Sequence, residues 1–221
     1  GIVFLGGRSD YTPEELTMLN VPFVCCSYAN QYGTLPEGSY ASVSIADEEE
    51  AYRAVTELYR CGHRRIAALV SGTEDRSISQ LRYQGYVRAL AAHGLPLEQE
   101  LVIEAGSFDI RQAYLAVRRR LMEGARFTAL FAISDNMAIG AMRALREAGR
   151  RIPEDCSVIA IDGLTVSDYI NPTLTTLCQP MEHMGRRSVE ILLDMVEHRG
   201  GPIRETAHTT LRTGESVRDI S

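Results

Sequence analysis

The sequence predicts an α/β fold with doubly wound parallel sheets, on three observations. Short, continuous apolar runs, such as residues 1–7 and 157–163, are typical of strands that are covered on both faces of a parallel sheet. Amphipathic segments alternate with these runs along the 221 residues, and strands that alternate with helices favour parallel βαβ units with right-handed crossovers. Glycines such as Gly62 and Gly124 stand where the helical periodicity stops.

The segments before residue 127 predict four strands, a short extended crossing and four helices. The strands are expected at residues 1–7, 21–28, 64–72 and 100–108, the extended crossing at 42–45, and the helices at 12–20, 47–62, 77–94 and 109–124. The first helix has Thr12 as its expected cap and Pro13 in its first turn, where the missing N–H leaves no helical hydrogen bond unmade. The second opens on the acidic run Asp47–Glu50, which complements the helix dipole and is otherwise typical of a solvated face. Asp109 is the expected cap of the fourth helix.

The segment from Phe127 to Gly149 predicts a strand that turns directly into a helix. Its apolar run stops at Ser134 and Asp135, and the amphipathic run 136–148 follows. Asp135 is the expected N-cap of this helix. The corner lies at the carboxyl end of a strand, where open α/β sheets bind ligands, so we expect Ser134 to face a ligand.

The pattern changes after residue 170. Residues 171–180 are predicted to form an extended segment between Pro172 and Pro180. A helix at 181–201 and a last strand at 208–217 follow. The apolar residues at core spacing in that helix are Met184, Val189, Leu192, Leu193 and Val196. A helix and a strand after a proline-bracketed crossing indicate that the chain returns to an earlier subdomain.

Composition and charge argue against several classes of protein. The formal net charge is −6, which argues against a chain that grips a phosphate backbone by itself. No apolar stretch approaches the roughly 20 residues that span a bilayer, and the first residues do not resemble a signal peptide. The five cysteines show neither CxxC nor metal-ligand spacing, so we expect small buried thiols in a reducing cytosol.

The sequence does not predict an enzyme. It contains no G-x-S-x-G nucleophile elbow, no G-x-G-x-x-G motif and no phosphate-binding loop. The five histidines show no paired metal spacing, so neither a metal nor another cofactor is expected. His63, in the segment CGHRR, is expected to fix a helix-to-strand turn.

Four segments follow one another along nearly the whole chain: GHRRIAALVSG, RYQGYVRALAAHGL, TALFAISDNMAIGAMRALREAGRRIPEDCSVIAIDG and NPTLTTLCQPMEHMGRRSVEILL. In this order and spacing the sequence resembles the lactose/galactose-repressor (LacI/GalR) family of transcriptional regulators. The resemblance implies two α/β subdomains like those of periplasmic sugar-binding proteins, with three crossings and a small-molecule ligand in the cleft between them. The implied N-terminal subdomain is 1–45 with 180–207, and the implied C-terminal subdomain is 46–179 with 208–221.

The resemblance also implies a non-catalytic effector sensor. Members of the family bind a small molecule, for this chain a sugar or sugar derivative, and pair as homodimers in the cytosol. They change their binding to operator DNA through an N-terminal helix-turn-helix module, of which nothing is found in these 221 residues. The alternative is a periplasmic-type sugar-binding protein of a transport system, which would need a secretory signal and for which five free thiols would be unusual.

The family's cleft arginine, in an R-x-x-G pattern early in a helix, falls on Arg82 with Gly85. A guanidinium can bind two sugar hydroxyls or a carboxylate. We expect its side chain to face the open cleft, so that Arg82→Ala removes effector binding with little loss of fold. The alternative is a surface ion pair with Asp75 or Glu74.

The resemblance assigns five further residues to ligand binding. Asp162 falls on the family's aspartate at a strand end, where it could accept hydrogen bonds from vicinal hydroxyls or serve as a turn residue. Phe108 is a candidate for stacking on a ring face, or for the core. Gln179 lies at a crossing and could contact the ligand or form hinge hydrogen bonds. Ser27 and Ser134 stand where the family often has an acidic residue and an asparagine, and fewer polar anchors argue against a simple hexose.

The first predicted strand implies more chain before it. Residues 1–7 have the pattern of a strand buried on both faces, which needs a neighbour on each side. In the family this strand is the third of its subdomain. Two earlier strand–helix units, roughly 50–60 residues in all, are therefore expected to precede it.

Overall fold

The structure is a computed structural model that describes residues 1–16, 19–36 and 38–221. These residues form two compact units. Unit 1 comprises Gly1–Ala46, Arg76–Ile78 and Gln179–Thr209, and unit 2 comprises Asp47–Asp75, Ser79–Cys178 and Thr210–Ser221.

Strands and helices alternate along the chain, and the predicted α/β class is confirmed. In chain order the strands are β1 (Ile2–Leu5), β2 (Phe23–Cys26), β3 (Ala41–Ile45), β4 (Ile66–Val70), β5 (Val102–Glu104), β6 (Ala129–Ala132), β7 (Ser157–Asp162), β8 (Thr175–Cys178), β9 (Arg204–Ala207) and β10 (Thr210–Arg212). The α-helices are α1 (Pro13–Leu16), α2 (Asp47–Arg60), α3 (Ile78–Ala92), α4 (Ile110–Met122), α5 (Asp135–Glu147) and α6 (Met181–Val196). The helix predicted at 12–20 includes Thr17 and Met18, which lie outside the described residues.

The sheet of unit 1 is parallel and runs β1-β2-β3-β9 in its described residues. The rings of Phe23 and Tyr40 stack in its core, with centroids 6.0 Å apart. β9 was not expected from the sequence, because the segment Arg-Glu-Thr-Ala has no apolar run. It forms by backbone pairing with β3, where Ser42 lies opposite Arg204. β1 lies at the edge of this sheet beside β2.

Helix α6 packs on this sheet through a different face from the one that its sequence predicts. Its buried residues are Met184, Ser188 and Ile191. The nearly half-exposed residues are Val189, Leu193 and Val196. Ser188 tolerates burial because its hydroxyl donates to the carbonyl of Met184, at 2.8 Å. The prediction of the three exposed residues as core residues is therefore wrong, since a small, internally satisfied polar residue takes the core-facing position.

The sheet of unit 2 runs β10-β8-β7-β6-β4-β5. β10 pairs with β8 in the antiparallel sense, and the other neighbours are parallel. The neighbouring strands β7, β6 and β4 end at Asp162, Ala132 and Val70. Because the carboxyl ends of parallel strands meet at one edge, the residues that follow these strands are brought together there.

Two expectations from the composition, on membrane-spanning segments and on cysteines, can be compared with the described residues. None of the helices that they form combines the length and the apolar content that a bilayer crossing requires. All five cysteines are free thiols, and Cys25, Cys26 and Cys156 are buried as expected. Cys61 and Cys178 are partly exposed.

His63 joins three segments of unit 2 rather than one turn. Its Nδ1 atom lies 3.0 Å from Thr128 Oγ1, and its Nε2 atom lies 2.9 Å from Ser157 Oγ and 3.2 Å from the carbonyl of Arg218. The side chain is buried. Burial lowers the pKa of His63 below its ordinary value, because the charged imidazolium would lose its hydration.

This depressed pKa predicts an acid-sensitive fold. The unfolded chain takes up the proton more readily than the folded chain, so the contribution of His63 is fully present above about pH 6.5 and is lost as the pH falls towards the folded pKa. We expect the free energy of unfolding to fall by up to about 1.4 kcal/mol per pH unit in that interval. Urea unfolding at a series of pH values should show this slope, and His63→Gln should remove it. The exposed His208, changed to Gln as a control, should leave the slope intact; an equal loss in both variants would contradict the assignment.

Candidate functional site

Arg82 lies at the centre of a buried ion cluster in unit 2. Its Nε atom donates to Asp47 Oδ1 at 2.8 Å. Its Nη1 atom donates to the carbonyl of Ile133 and, at 3.3 Å, to Asp162 Oδ1. The arginine side chain is 3% exposed. The expectation that it faces an open cleft is therefore wrong, as is the alternative of a surface ion pair.

Three chain segments bring these groups together. Asp47 is the first residue of α2, Ile133 follows β6, and Asp162 is the last residue of β7. Gly85 explains the R-x-x-G pattern, since a Cβ atom there would lie 2.1 Å from the carbonyl oxygen of Glu48. A glycine thus permits the close approach of α3 to α2 that places Arg82 against Asp47.

Asp47 was not expected in this cluster. From the sequence, the whole acidic run at the start of α2 was expected to complement the helix dipole and to lie on a solvated face. In the structure Asp47 and Glu50 are buried, whereas Glu49 is exposed. The spacing of three between the two buried acids, which places them on one helical face, is the signal that could have found them.

Electrostatics keep Arg82 charged. Burial by itself would lower the pKa of Arg82, but the negative charges of Asp47 and Asp162 outweigh that effect and raise the pKa. The hydrogen bonds of the side chain run from Nε and Nη1. No acceptor for the two N–H groups of Nη2 is found among the described residues.

Asp162 is held in an unusual backbone conformation. Its φ angle is 139°, in a region that residues other than glycine seldom occupy. Its side chain is 18% exposed, which is more than that of Arg82 or Asp47. Strained residues of this kind concentrate at ligand-binding positions. Asp162 therefore presents a partly exposed carboxylate, which accepts from Arg82, at the carboxyl edge of the sheet.

The corner after β6 has the roles of its two residues reversed. Ser134 is the N-cap of α5, and its hydroxyl oxygen accepts from the backbone N–H of Met137 at 3.3 Å. The prediction that Asp135 is the cap is wrong. Asp135 is fully buried and accepts from Thr176 Oγ1 at 2.6 Å and from Ser167 Oγ at 2.7 Å. It also accepts from the N–H of Leu164, so it fixes the loop that follows Asp162.

Burial has a clear consequence for Asp135. It raises the pKa of the Asp135 carboxyl, and the hydrogen bonds from Thr176, Ser167 and Leu164 act in the opposite direction. Ser134 is itself buried, and its O–H remains a possible donor. Its contact with a ligand stays a prediction.

The remaining predicted residues fall in two places. Phe108 follows β5 in unit 2 and is 38% exposed, which excludes the alternative of a core residue. It lies at the same sheet edge as Asp162, three strands away in the order β7-β6-β4-β5. In unit 1, Ser27 Oγ donates to Gln179 Oε1 at 3.3 Å. Both residues line a cavity of about 320 Å³ together with Met184 and others.

Comparison with known proteins supports the resemblance. A family model described as a periplasmic binding protein-like domain matches residues 55–217. The chain is 35% identical over 212 residues to the HTH-type transcriptional regulator CelR of Thermobifida fusca, and the match covers 96% of this chain and 60% of that protein. The chain thus spans less than two thirds of that relative.

Two solved structures show the same fold. The structure described as the transcriptional regulator CelR–cellobiose complex superposes with a TM-score of 0.87 at 33% identity, and covers 98% of this chain and 65% of its own. A LacI family transcriptional regulator from Enterococcus faecium with bound ribose superposes with a TM-score of 0.80 at 27% identity, over 95% of this chain and 75% of its own. These relatives are transcriptional regulators, in agreement with the prediction that the chain is not an enzyme. The chain belongs to the periplasmic binding protein-like domain family, in the form found in LacI-family transcriptional regulators.

Proposed function

We propose that this chain is the effector-sensing domain of a DNA-binding transcriptional regulator and that its effector is a sugar or sugar derivative. The observation that carries the proposal is the paired Arg82 and Asp162 at the carboxyl edge of the unit 2 sheet. The cellobiose and ribose named for two structural relatives support a ligand of this class.

The chemistry of the pair suits vicinal hydroxyl groups. A sugar hydroxyl both donates and accepts hydrogen bonds, so it needs a donor and an acceptor within reach of neighbouring oxygens. Arg82 supplies the two N–H groups of Nη2, and the partly exposed carboxylate of Asp162 supplies the acceptor. Because Arg82 is already held by Asp47, and Asp162 by Arg82, little side-chain entropy remains to be lost on binding. Phe108 adds an exposed ring at the same edge, and rings of this kind pack on the apolar faces of sugars.

The proposal also covers further contacts to the effector, and the binding of operator DNA. Ser27 and Gln179 of unit 1, and Ser134 of unit 2, are proposed as further polar contacts to the effector. The formal net charge of −6 argues against these 221 residues gripping the phosphate backbone of DNA by themselves. Operator binding is therefore proposed for a helix-turn-helix module of the kind that the relative's name states. The family resemblance is the basis for proposing also that the protein acts as a homodimer in the cytosol.

A thermal-shift screen tests the proposal. Sugars, nucleosides and sugar acids are added to the purified chain, and a ligand at 100 times its Kd should add about 2.7 kcal/mol to the free energy of unfolding. Asp162→Asn should keep the fold, because Asp47 still pairs with Arg82, and should weaken binding of the selected ligand about 10- to 100-fold by calorimetry.

Glu49→Gln is the matched control for that variant. Glu49 is an exposed acid of the same unit whose partner is Arg88 on the surface, so its change should leave the affinity at the wild-type value. A screen in which sugars and their derivatives produce no shift would reject the ligand class. An unchanged affinity in Asp162→Asn would reject the site.

A further inference from the structure

Unit 2 carries a cavity at the edge of its sheet opposite to Asp162. The volume is about 680 Å³, within the usual range for small-molecule sites. It lies where the chain enters β4 and β6, beside the turns that end α2, α4 and α5. Its lining includes four arginines, Arg64, Arg65, Arg126 and Arg150, and we call it the arginine cavity.

Carboxylates neutralise one of these four arginines. Arg65 pairs with Glu98 at 2.6 Å and with Glu100 at 2.7 Å. Arg64 donates to the backbone carbonyls of Tyr59 and His63. A carbonyl satisfies a guanidinium N–H without cancelling its charge, so Arg64 keeps its positive charge.

Arg150 and Arg126 also keep their charge. Arg150 donates to the carbonyls of Phe127 and Asp155, at 2.6 Å and 3.0 Å, and its guanidinium lies over the Phe127 ring. Arg126 is exposed and has no hydrogen-bond or ion-pair partner among the described residues. Three arginines without an ion-pair partner among the described residues thus line one cavity in a chain whose formal net charge is −6.

The rest of the lining is largely apolar. Leu121, Ala125 and Ala148 lie beside Phe127 and Ile220. The segment with Ile220 is held in place, because its N–H donates to the carbonyl of Cys61 at 2.9 Å. Apolar walls with a few convergent charged groups are typical of sites for small organic ligands.

Capping of helix C-termini explains the position of one of these arginines but not that of Arg126. Basic side chains near helix C-termini commonly bond the last free carbonyls, and Arg64 does this for α2 through Tyr59. Arg126 bonds no carbonyl among the described residues. The capping of a helix end therefore does not account for Arg126, which lines the same cavity as Arg150.

We propose that the arginine cavity is a binding site for a small organic anion, one that carries a carboxylate, sulfonate or phosphate group on an apolar body. Arg64, Arg126 and Arg150 receive the anionic group, and Leu121 and Ile220 contact the apolar part. The site is separate from the Arg82 and Asp162 pair, and the inference does not depend on the proposed effector.

The probe for the test is 8-anilinonaphthalene-1-sulfonate, an aromatic sulfonate whose fluorescence rises on binding. Titration into the 15N-labelled chain should shift the backbone amide resonances of Gly62, Gly124 and Ala125. Arg64→Ala/Arg126→Ala removes two of the three proposed donors and should raise the Kd at least about tenfold, because the loss of even one charge-assisted hydrogen bond has an effect of that size. Added salt should weaken wild-type binding in the same direction.

Arg111→Ala is the matched control, because Arg111 is an exposed arginine at the other end of α4. It should leave the Kd unchanged, as should Asp162→Asn. Circular dichroism spectra that match the wild type show that the variants are folded. Shifts confined to the exposed face of α6, or a double variant with the wild-type Kd, would overturn the proposal.

Discussion

Replacing Arg82 with Ala is expected to lower the free energy of unfolding by about 3–5 kcal/mol. The substitution leaves the buried carboxylate of Asp47 without its cation and removes one partner of Asp162. It also leaves the carbonyl of Ile133 without this donor. A buried charge that loses its counter-ion keeps the full cost of its lost hydration, which exceeds the cost of losing a surface pair. Urea unfolding followed by circular dichroism measures the change.

Arg88→Ala is the control on the same helix. Arg88 pairs with Glu48 and Glu49 at the surface, where solvent screens the charges, so a small effect is expected. Equal losses of unfolding free energy in the two variants would show that burial of the Arg82 cluster adds nothing to its contribution to stability. This expected result replaces the one drawn from the sequence, in which Arg82→Ala left the fold largely unchanged. Asp162→Asn is therefore the better variant for testing ligand binding.

Replacing Gly140 with Ala is expected to cost about 1–3 kcal/mol or more of stability. Gly140 lies in α5, and a Cβ atom there would be 2.2 Å from the carbonyl oxygen of Ile110 and 3.0 Å from the backbone N of Tyr114. Both atoms belong to the backbone of α4, so no side-chain rotation relieves the overlap. The two helices must move apart, and the buried faces between them lose contact.

Gly185→Ala provides a control with the opposite expected sign. Gly185 also lies inside a helix, α6, and a Cβ atom there would meet nothing within 4 Å. Alanine in a helix interior is more stable than glycine by about 0.5–1 kcal/mol, because it loses less conformational entropy on folding. Urea midpoints that move in the same direction in both variants would contradict the close-packing argument.

The helices of unit 2 could be predicted because their signals are local. Apolar spacing and terminal glycines define α2 and α4, and Asp109 caps α4 by accepting from the N–H groups of Arg111 and Gln112 as expected. β9 could not be predicted, because four residues with one buried side chain carry no periodicity. It forms because β3 offers a free edge, which is a property of the folded sheet.

The residues of the candidate site were likewise predicted only in part. The resemblance selected Arg82 and Asp162, and the structure joins them through a hydrogen bond at 3.3 Å. Asp47 was missed because the spacing of three places Asp47 and Glu50 on one helical face but does not show that this face is buried. The reversed roles of Ser134 and Asp135 have a similar cause, since both residue types cap helices well.

The sequence by itself determined the α/β class, the order of the helices and of the strands other than β9, and the family resemblance, because these depend on patterns within about 20 consecutive residues or on motif order. The tertiary structure alone decided which polar residues are buried. Asp135 became a buried acceptor because Thr176 and Ser167, more than 30 residues away, supply its donors. The buried face of α6 was decided by Ser188, whose bond to Met184 lets a polar side chain face the sheet. Burial of a polar group depends on partners that are distant in the chain or on the surface it packs against, and local patterns do not contain that information.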